Sequence, residues 1–277
     1  MHTDHFLEIG RGHKICEDYI ISGTNPTPYV ILADGCSSSK EVDIGARILC
    51  LIAKKYLTII NNSPIEKKIL LSYHYIKQWI AFKSAKYIRE FSLQNSSLDS
   101  TLILLFVDNN TVHVFMYGDG IIMAVGNNDD MWCKEVKFLK NAPHYLSYLL
   151  NEDRETAFLK IKENDISITS YESDYPGKLE RHFDIRTEHS ILHFIFPIDM
   201  LDLRAIFISS DGLSSFRSLM GVELPSRQML KHFLSFKNFK GEFIKRRSKK
   251  AIKEINKSHE MFNFDDISIG GIYFGEE

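Results

Sequence analysis

Tyr29-Val30-Ile31-Leu32-Ala33-Asp34-Gly35-Cys36-Ser37-Ser38-Ser39 is the stretch that decides the fold. An unbroken apolar run of this length, stopped by an acid and a glycine, reads as a buried strand feeding a loop. The residues after it, about 41–60, carry Ile44, Ile48, Leu51 and Ile52 at helical spacing. Asp34 therefore stands where a core strand stops, and Gly35 lets the backbone turn close to whatever that carboxylate holds. The design returns at Ala205-Ile206-Phe207-Ile208-Ser209-Ser210-Asp211-Gly212. One Asp-Gly is ordinarily a turn. Two of them, each behind a buried strand, predict two carboxylates brought to one end of a sheet.

Upstream of the deciding stretch, Arg11, His13, Lys14 and Glu17-Asp18 precede a short β-like run, Tyr19-Ile20-Ile21. Solvated loop charges fit these acids as well as a site does. Downstream, two helices are expected at about 41–60 and 65–91, the second with Ile69, Tyr73, Ile76, Ile80 and Tyr87 as its apolar face. From 100 the pattern turns to strands. Two of them, 101–107 and 111–117, are joined by the hairpin signal Asp108-Asn109-Asn110. Gly118-Asp119-Gly120 leads into another apolar run, 121–125, and 132–138 reads as a further strand. Residues of about 139–190 are mixed and polar, a flap-like insertion within one domain spanning 1–277. Such a segment either contacts substrate or is passive surface. Strand character resumes at 190–196 and 205–210. The stretch 241–258 is a basic helix carrying Lys245, Arg246, Arg247, Lys249, Lys250 and Lys253, with Ile244, Ile252 and Ile255 on its other side. Its charges read as a solvated face rather than a nucleic-acid surface. Phe262-Asn263-Phe264-Asp265-Asp266 and a last strand, 267–274, close the chain.

With 277 residues, 44% of them hydrophobic and 25% charged, the chain can bury a sizeable core. A net charge of −2 offers no electrostatic case for a nucleic acid or a membrane as partner. Cys16, Cys36, Cys50 and Cys133 lie at irregular spacings, as reduced intracellular thiols do. Neither a leader-like start nor a membrane-length apolar run is present, and a cytoplasmic protein is expected. A nucleotide-dependent transferase is disfavoured, because no GxxxxGK[ST] loop or helix-opening GxGxxG occurs. Cys36 invites a thiol-nucleophile phosphatase, but Val42 stands where that chemistry needs an arginine to cradle phosphate.

Glu17, Asp18, Asp34, Asp119, Asp211, Asp265 and Asp266 each lie at the edge of an apolar strand. Carboxylates crowded together repel by roughly several kcal/mol per close pair where water is partly excluded. Cations relieve that repulsion, and all-oxygen ligands select hard ions, Mg²⁺ or Mn²⁺. Two such ions about 3.5–4 Å apart can activate a water between them for phosphate-ester hydrolysis. Whether these acids meet in space is open at this level.

Taken in order, Glu17-Asp18, VILADGCSSS with GAR at 45–47, DSTLILL at 99–105, YGDG at 117–120, FISSDGLSSF at 207–216 and FDDISIGGI at 264–272 resemble the type 2C (PPM) metal-dependent serine/threonine protein phosphatases, in their compact bacterial form. The resemblance spans nearly the whole chain. It implies an α+β fold, an αββα sandwich of two antiparallel sheets flanked by helix pairs. It implies two Mg²⁺ or Mn²⁺ ions per chain, with room for a third, and hydrolysis of phosphoserine or phosphothreonine by direct attack of a metal-bound water. By the same resemblance Asp34 bridges the metals, the Gly35 carbonyl binds one, and Asp211 and Asp265 complete the other site. Glu17 and Asp18 hold metal-bound waters or ligate directly, Asp119 joins Asp211 at the third metal, and Asp266 supports these ligands. The implied partner is a phosphorylated protein bound by a monomer, with no nucleic acid and no membrane. Three departures stand out. His13 occupies the place of an arginine that grips substrate phosphate, Cys36 that of a histidine in many eukaryotic members, and Ser215 that of an acid. They suit the competing reading, a catalytically weak or inactive relative that binds phosphoproteins.

Overall fold

The computed structural model describes residues 1–275 apart from 64–66, 162–164, 174–178, 187–190 and 225. In chain order it runs β1 (His2–Glu8), β2 (Tyr19–Gly23), β3 (Tyr29–Gly35), α1 (Val42–Asn62), α2 (Lys67–Leu70), α3 (Tyr73–Glu90), β4 (Ser100–Asp108) and β5 (Thr111–Tyr117). Next come β6 (Gly120–Gly126), β7 (Met131–Phe138), α4 (Glu152–Leu159), β8 (Ile166–Ser173), β9 (Leu179–Arg186) and β10 (His193–Pro197). The chain ends with β11 (Leu203–Ser209), β12 (Phe216–Ser218), α5 (Ser226–Leu234), α6 (Phe243–His259), β13 (Met261–Asn263) and β14 (Ile267–Tyr273).

Strand β3 is apolar on both sides because both sides are covered. Successive side chains of a strand point to opposite faces. Tyr29, Ile31 and Ala33 meet Leu49, Ala53 and Tyr56 of α1 and Ile76 and Ile80 of α3. Val30 and Leu32 meet Ile206, Ile208 and Ile272 of the other sheet. Five strands in the order β10-β5-β4-β3-β2 form the first sheet, and seven in the order β1-β14-β11-β6-β7-β8-β9 form the second. On the second sheet's outer face Met123 and Phe207 pack against Met229, Leu230 and Phe233 of α5 and Ile244, Ala251 and Ile255 of α6. The result is four layers, helices on sheet on sheet on helices, all pairing between strands antiparallel. This is the αββα sandwich that the sequence resemblance implied.

The expected helix over 65–91 is interrupted. A single turn, α2, ends at Leu70, and Ser72 is extended (φ −72°, ψ 127°) before α3 begins. Ile69 is 63% exposed and belongs to no apolar face, whereas Ile76 and Ile80 are fully buried. The segment read as a flap-like insertion also differs from expectation. Among its described residues, 139–161, with a 3₁₀ turn at Leu146–Leu150 and then α4, leave the sheets. β8 and β9 continue the second sheet outward, pairing Ile166 with Arg186 and Phe138 with Ile166. Ile166 and Ile168 enter the core between the sheets beside Val136 and Phe138. Their serine and threonine neighbours hid that alternation in the sequence. The rest of the predicted insertion, at 162–164, 174–178 and 187–190, lies outside the described residues.

Antiparallel pairing has one consequence for chemistry. The starts of β2, β4, β6 and β14 and the ends of β3, β5 and β11 all fall at the same end of the sandwich, as the pairings Asp34 with Thr101, Gly35 with Ser100 and Ser209 with Ile121 and Ile269 require.

Candidate active site

The acids singled out in the sequence sit on those strand ends. Asp34 follows Ala33, so it takes the strand face of Val30 and Leu32 and points between the sheets. Asp18 immediately precedes β2, and its carboxylate accepts a hydrogen bond from Ser268 Oγ at 2.7 Å. Asp119 lies in the tight link from β5 to β6, between Gly118 (φ 121°) and Gly120 (φ 137°), conformations that favour glycine. Asp211 follows β11, and Asp265 and Asp266 precede β14. The loops bearing these last three acids touch through their main chains. A Cβ added to Gly212 would lie 1.7 Å from the Asp266 carbonyl oxygen, and one added to Gly10 would lie 2.3 Å from the Asp265 carbonyl carbon.

Crowding shows in the proton affinities. Burial, then the charges of Asp18, Asp211, Asp119 and Asp265, push the Asp34 carboxyl well above the usual carboxylate range. Asp119 is pushed up to about 8 by burial and by Asp211. Asp211 rises with burial and the charge of Asp265, while its hydrogen bond with Asp34 and the nearby Lys137 act in the other direction. Asp18 also rises with burial, against the hydrogen bonds from Ser268 and Ser210. Glu17 is raised by burial too, and its Oε2 is buried with no hydrogen-bond partner among the described residues.

His13 faces these acids. Its Nδ1 lies 3.1 Å from Asp266 Oδ2 and 4.0 Å from Glu17 Oε2, and its Nε2 is 3.5 Å from Asp265 Oδ1. Burial works against a charged imidazole, but the nearby carboxylates of Asp266, Asp265 and Glu17 outweigh it and raise the His13 pKa. Asp266 is 1% exposed and takes two main-chain N–H donors as well, from Gly10 at 2.7 Å and Glu17 at 2.6 Å. It fixes the loop over 10–17 against β14. Arg11 stacks its guanidinium on the Phe262 ring, 3.3 Å from the centroid. Ser215 holds the Asp265 loop, its Oγ accepting from the Asp265 N–H at 3.2 Å. Cys36 places its Sγ 3.1 Å from Ser38 Oγ.

One buried acid had no assigned role in the sequence reading. Asp99, directly before β4 and 2% exposed, receives both guanidinium arms of Arg154 on α4, at 3.0 and 2.8 Å. Ser39 Oγ donates to it at 2.6 Å and Ser147 Oγ also binds it, while its carbonyl accepts the Cys36 N–H at 2.8 Å. The loop after Asp34-Gly35 and the excursion over 139–161 are thus tied to one carboxylate. The DST motif at 99–101 was the signal, but its partner lies 55 residues on, where no periodicity points to it.

Among the described residues, no three His, Cys, Asp or Glu side chains are arranged to hold a metal ion. The acids are gathered within electrostatic reach of one another. The donor set is nonetheless all oxygen, with raised acids and an orphaned Glu17 oxygen. That chemistry fits a hard divalent cation.

The profile of the family described as protein phosphatase 2C matches residues 10–255. The chain belongs to this family. Among solved structures, the phosphatase is similar to a bacterial serine phosphatase at 14% identity and TM-score 0.53, covering 100% of this chain and 99% of that one. It is also similar to the serine/threonine phosphatase Stp1 from Staphylococcus aureus at 13% identity and TM-score 0.52, covering 99% and 95% of the two chains. At such identities the likeness speaks for the fold. No curated protein matches the chain by sequence. Among the described residues of the phosphatase, no helix is long and apolar enough to cross a membrane.

Proposed function

We propose that this phosphatase removes phosphate from phosphoserine and phosphothreonine of proteins, at the acid-lined end of the sandwich, with two Mg²⁺ or Mn²⁺ ions. One observation carries the reading: Asp34, half-buried where β3 ends, stands among Asp18, Asp119, Asp211 and Asp265 on neighbouring strand ends, close enough for their charges to act on it. A protein gathers that much like charge where an external cation answers it. Asp34, the Gly35 carbonyl, Asp211 and Asp265 would hold the ions, with Glu17 and Asp18 holding their waters and Asp119 available to a third. When bound, such ions lower the pKa of a water and offset charge on the phosphoryl oxygens.

The chain's own groups keep this arrangement in place. Ser268 Oγ orients the Asp18 carboxylate. Ser215 and the main-chain contact at Gly212 set where Asp265 stands relative to Asp211. Asp266 anchors the loop that carries Glu17. His13, engaged by three acids, is placed to offset their charge and, in its charged form, to meet a phosphate arriving at the same spot. The Cys36 thiol has no part in this scheme.

Hydrolysis of p-nitrophenyl phosphate with added Mn²⁺ tests the proposal. Turnover is expected to vanish with EDTA, to return with excess Mn²⁺ or Mg²⁺, and to be absent in Asp34→Asn. Activity that survives EDTA overturns it. A second reading, a non-catalytic phosphoprotein-binding relative, draws on His13 standing bound to carboxylates where an arginine would grip phosphate. No turnover by the wild type with either metal, together with retained binding of a phosphopeptide, would select that alternative.

A further inference from the structure

Helix α6 carries seven lysines and arginines against one glutamate over 243–259. Arg246 donates to Asn238 Oδ1 at 3.0 Å, and the other six cations divide into two sets. Lys245 pairs with Glu242, while Arg247 and Lys250 pair with Glu254. Lys249, Lys253 and Lys257 are exposed, and no acidic partner lies within ion-pair distance of them among the described residues. Spaced at i, i+4 and i+8, they form one stripe along the helix. With Ile252 and Asn256 they line a groove of about 730 Å³ whose other wall is Phe6 and Glu8 of β1, the outermost strand of its sheet.

Both walls of this groove run into the acid-lined end. Glu8 pairs with Ile267, the residue after Asp266, and Gly10 donates its N–H to Asp266. Helix α6 is followed by β13 and then Asp265. We infer that the groove between α6 and β1 binds an extended acidic segment of the protein substrate, flanking the residue to be dephosphorylated. The inference rests on the proposed phosphatase reading for what is bound, and on the groove for how. Its spacing is specific. Lysines four apart on a helix recur about every 6 Å, and same-face side chains of an extended peptide recur about every 6.6 Å. Acids at alternate positions therefore meet successive lysines, three to three, with the half-buried Ile252 between them. Glu8 is the single acid among the lining residues, set against three cations.

The test uses the full chain and two variants, Lys249→Gln/Lys253→Gln/Lys257→Gln and the corresponding triple change to Glu, each checked by thermal melting. An unphosphorylated fluorescent peptide with glutamate at three alternate positions is expected to bind the wild type, to weaken as salt rises, and to bind the Gln variant about tenfold more weakly. A phosphoserine peptide with that flank is expected to show a KM about tenfold below that of a neutral-flank peptide, an advantage both variants lose with p-nitrophenyl phosphate turnover unchanged. Equal binding by wild type and variants, or no preference for alternating over clustered glutamates, overturns the inference. So does tighter binding of a single-stranded oligonucleotide than of the acidic peptide. Absence of p-nitrophenyl phosphate turnover by the wild type would instead remove the phosphatase reading, and the binding measurement would still decide the groove.

Discussion

Asp34 and Asp99 stand one strand apart at the same end of the same sheet, and the protein treats them in opposite ways. Asp99 is fully answered from within: a two-armed guanidinium and two hydroxyls take up its oxygens. Asp34 is surrounded instead by four more acids. Burying a carboxylate costs several kcal/mol unless it is paired. The chain meets that cost at Asp99 with its own cation and leaves it unmet at Asp34. The first acid is a fastening. On the proposed reading, the second is where a cation from solution would bind.

This contrast gives opposite signs for two substitutions. Asp34→Asn is expected to lower turnover about a thousandfold or more, the scale of losing several kcal/mol of Lewis-acid stabilisation. The same change should raise the melting temperature of the metal-free protein, because it removes a like charge. Calorimetry showing a drop would break the contrast. Arg154→Met leaves Asp99 buried without its counter-charge, with only the Ser39 and Ser147 hydroxyls as partners. Since Arg154 is about a third exposed, its loss is set at about 2 kcal/mol rather than the larger values of fully buried pairs, a fall of roughly 4–8 °C in Tm. Its Mn²⁺ affinity by titration calorimetry should stay within a few-fold of wild type; a collapse of metal binding would merge the two regions into one.

Proton linkage sharpens the comparison at the next level. Asp119, pushed up to about 8, holds a proton more tightly folded than unfolded. The stability this adds is present at acid pH and is lost as pH rises from the ordinary carboxylate range through about 8. Asp34, Asp18 and Asp211 shift the same way. Metal-free protein should therefore melt lower at pH 8 than at pH 5, with Mg²⁺ restoring more at pH 8. A flat profile would mean the acids are already answered. The smallest effect is expected at His13. His13→Ala should raise KM for a phosphopeptide a few-fold and leave kcat nearly unchanged, whereas an unmoved KM would make the imidazole a counter-charge to Asp265 and Asp266 only.

Much of this was legible in the residues. The run at Tyr29 and its counterpart at Ala205 announced strands buried on both faces, and their terminal acids marked which end mattered. Alternation is a local property, so β4 to β7 were readable within a residue or two. Strands β8 and β9 were missed because Ile166 and Ile168 face a core while their neighbours are polar. The break at Leu71-Ser72 was missed because apolar spacing alone carries across two non-helical residues. Within the site, the carboxylates could be named in advance, since each closes or opens a strand. What they hold onto could not. The union of Asp99 with Arg154, and of Asp266 with Gly10 and Glu17, depends on loops far apart in the chain, and side-chain type alone does not say which distant backbone amide will be near.

The absence of a side chain at Gly212 carries a consequence of its own. With its α-carbon pressed against the Asp266 carbonyl, the chain after β11 and the chain before β14 share a surface too close for even a methyl group. The gap between Asp211 and Asp265 is therefore gauged by main-chain thickness, as a shim sets the opening of a jaw, and an alanine at 212 would widen that jaw without altering a single charge.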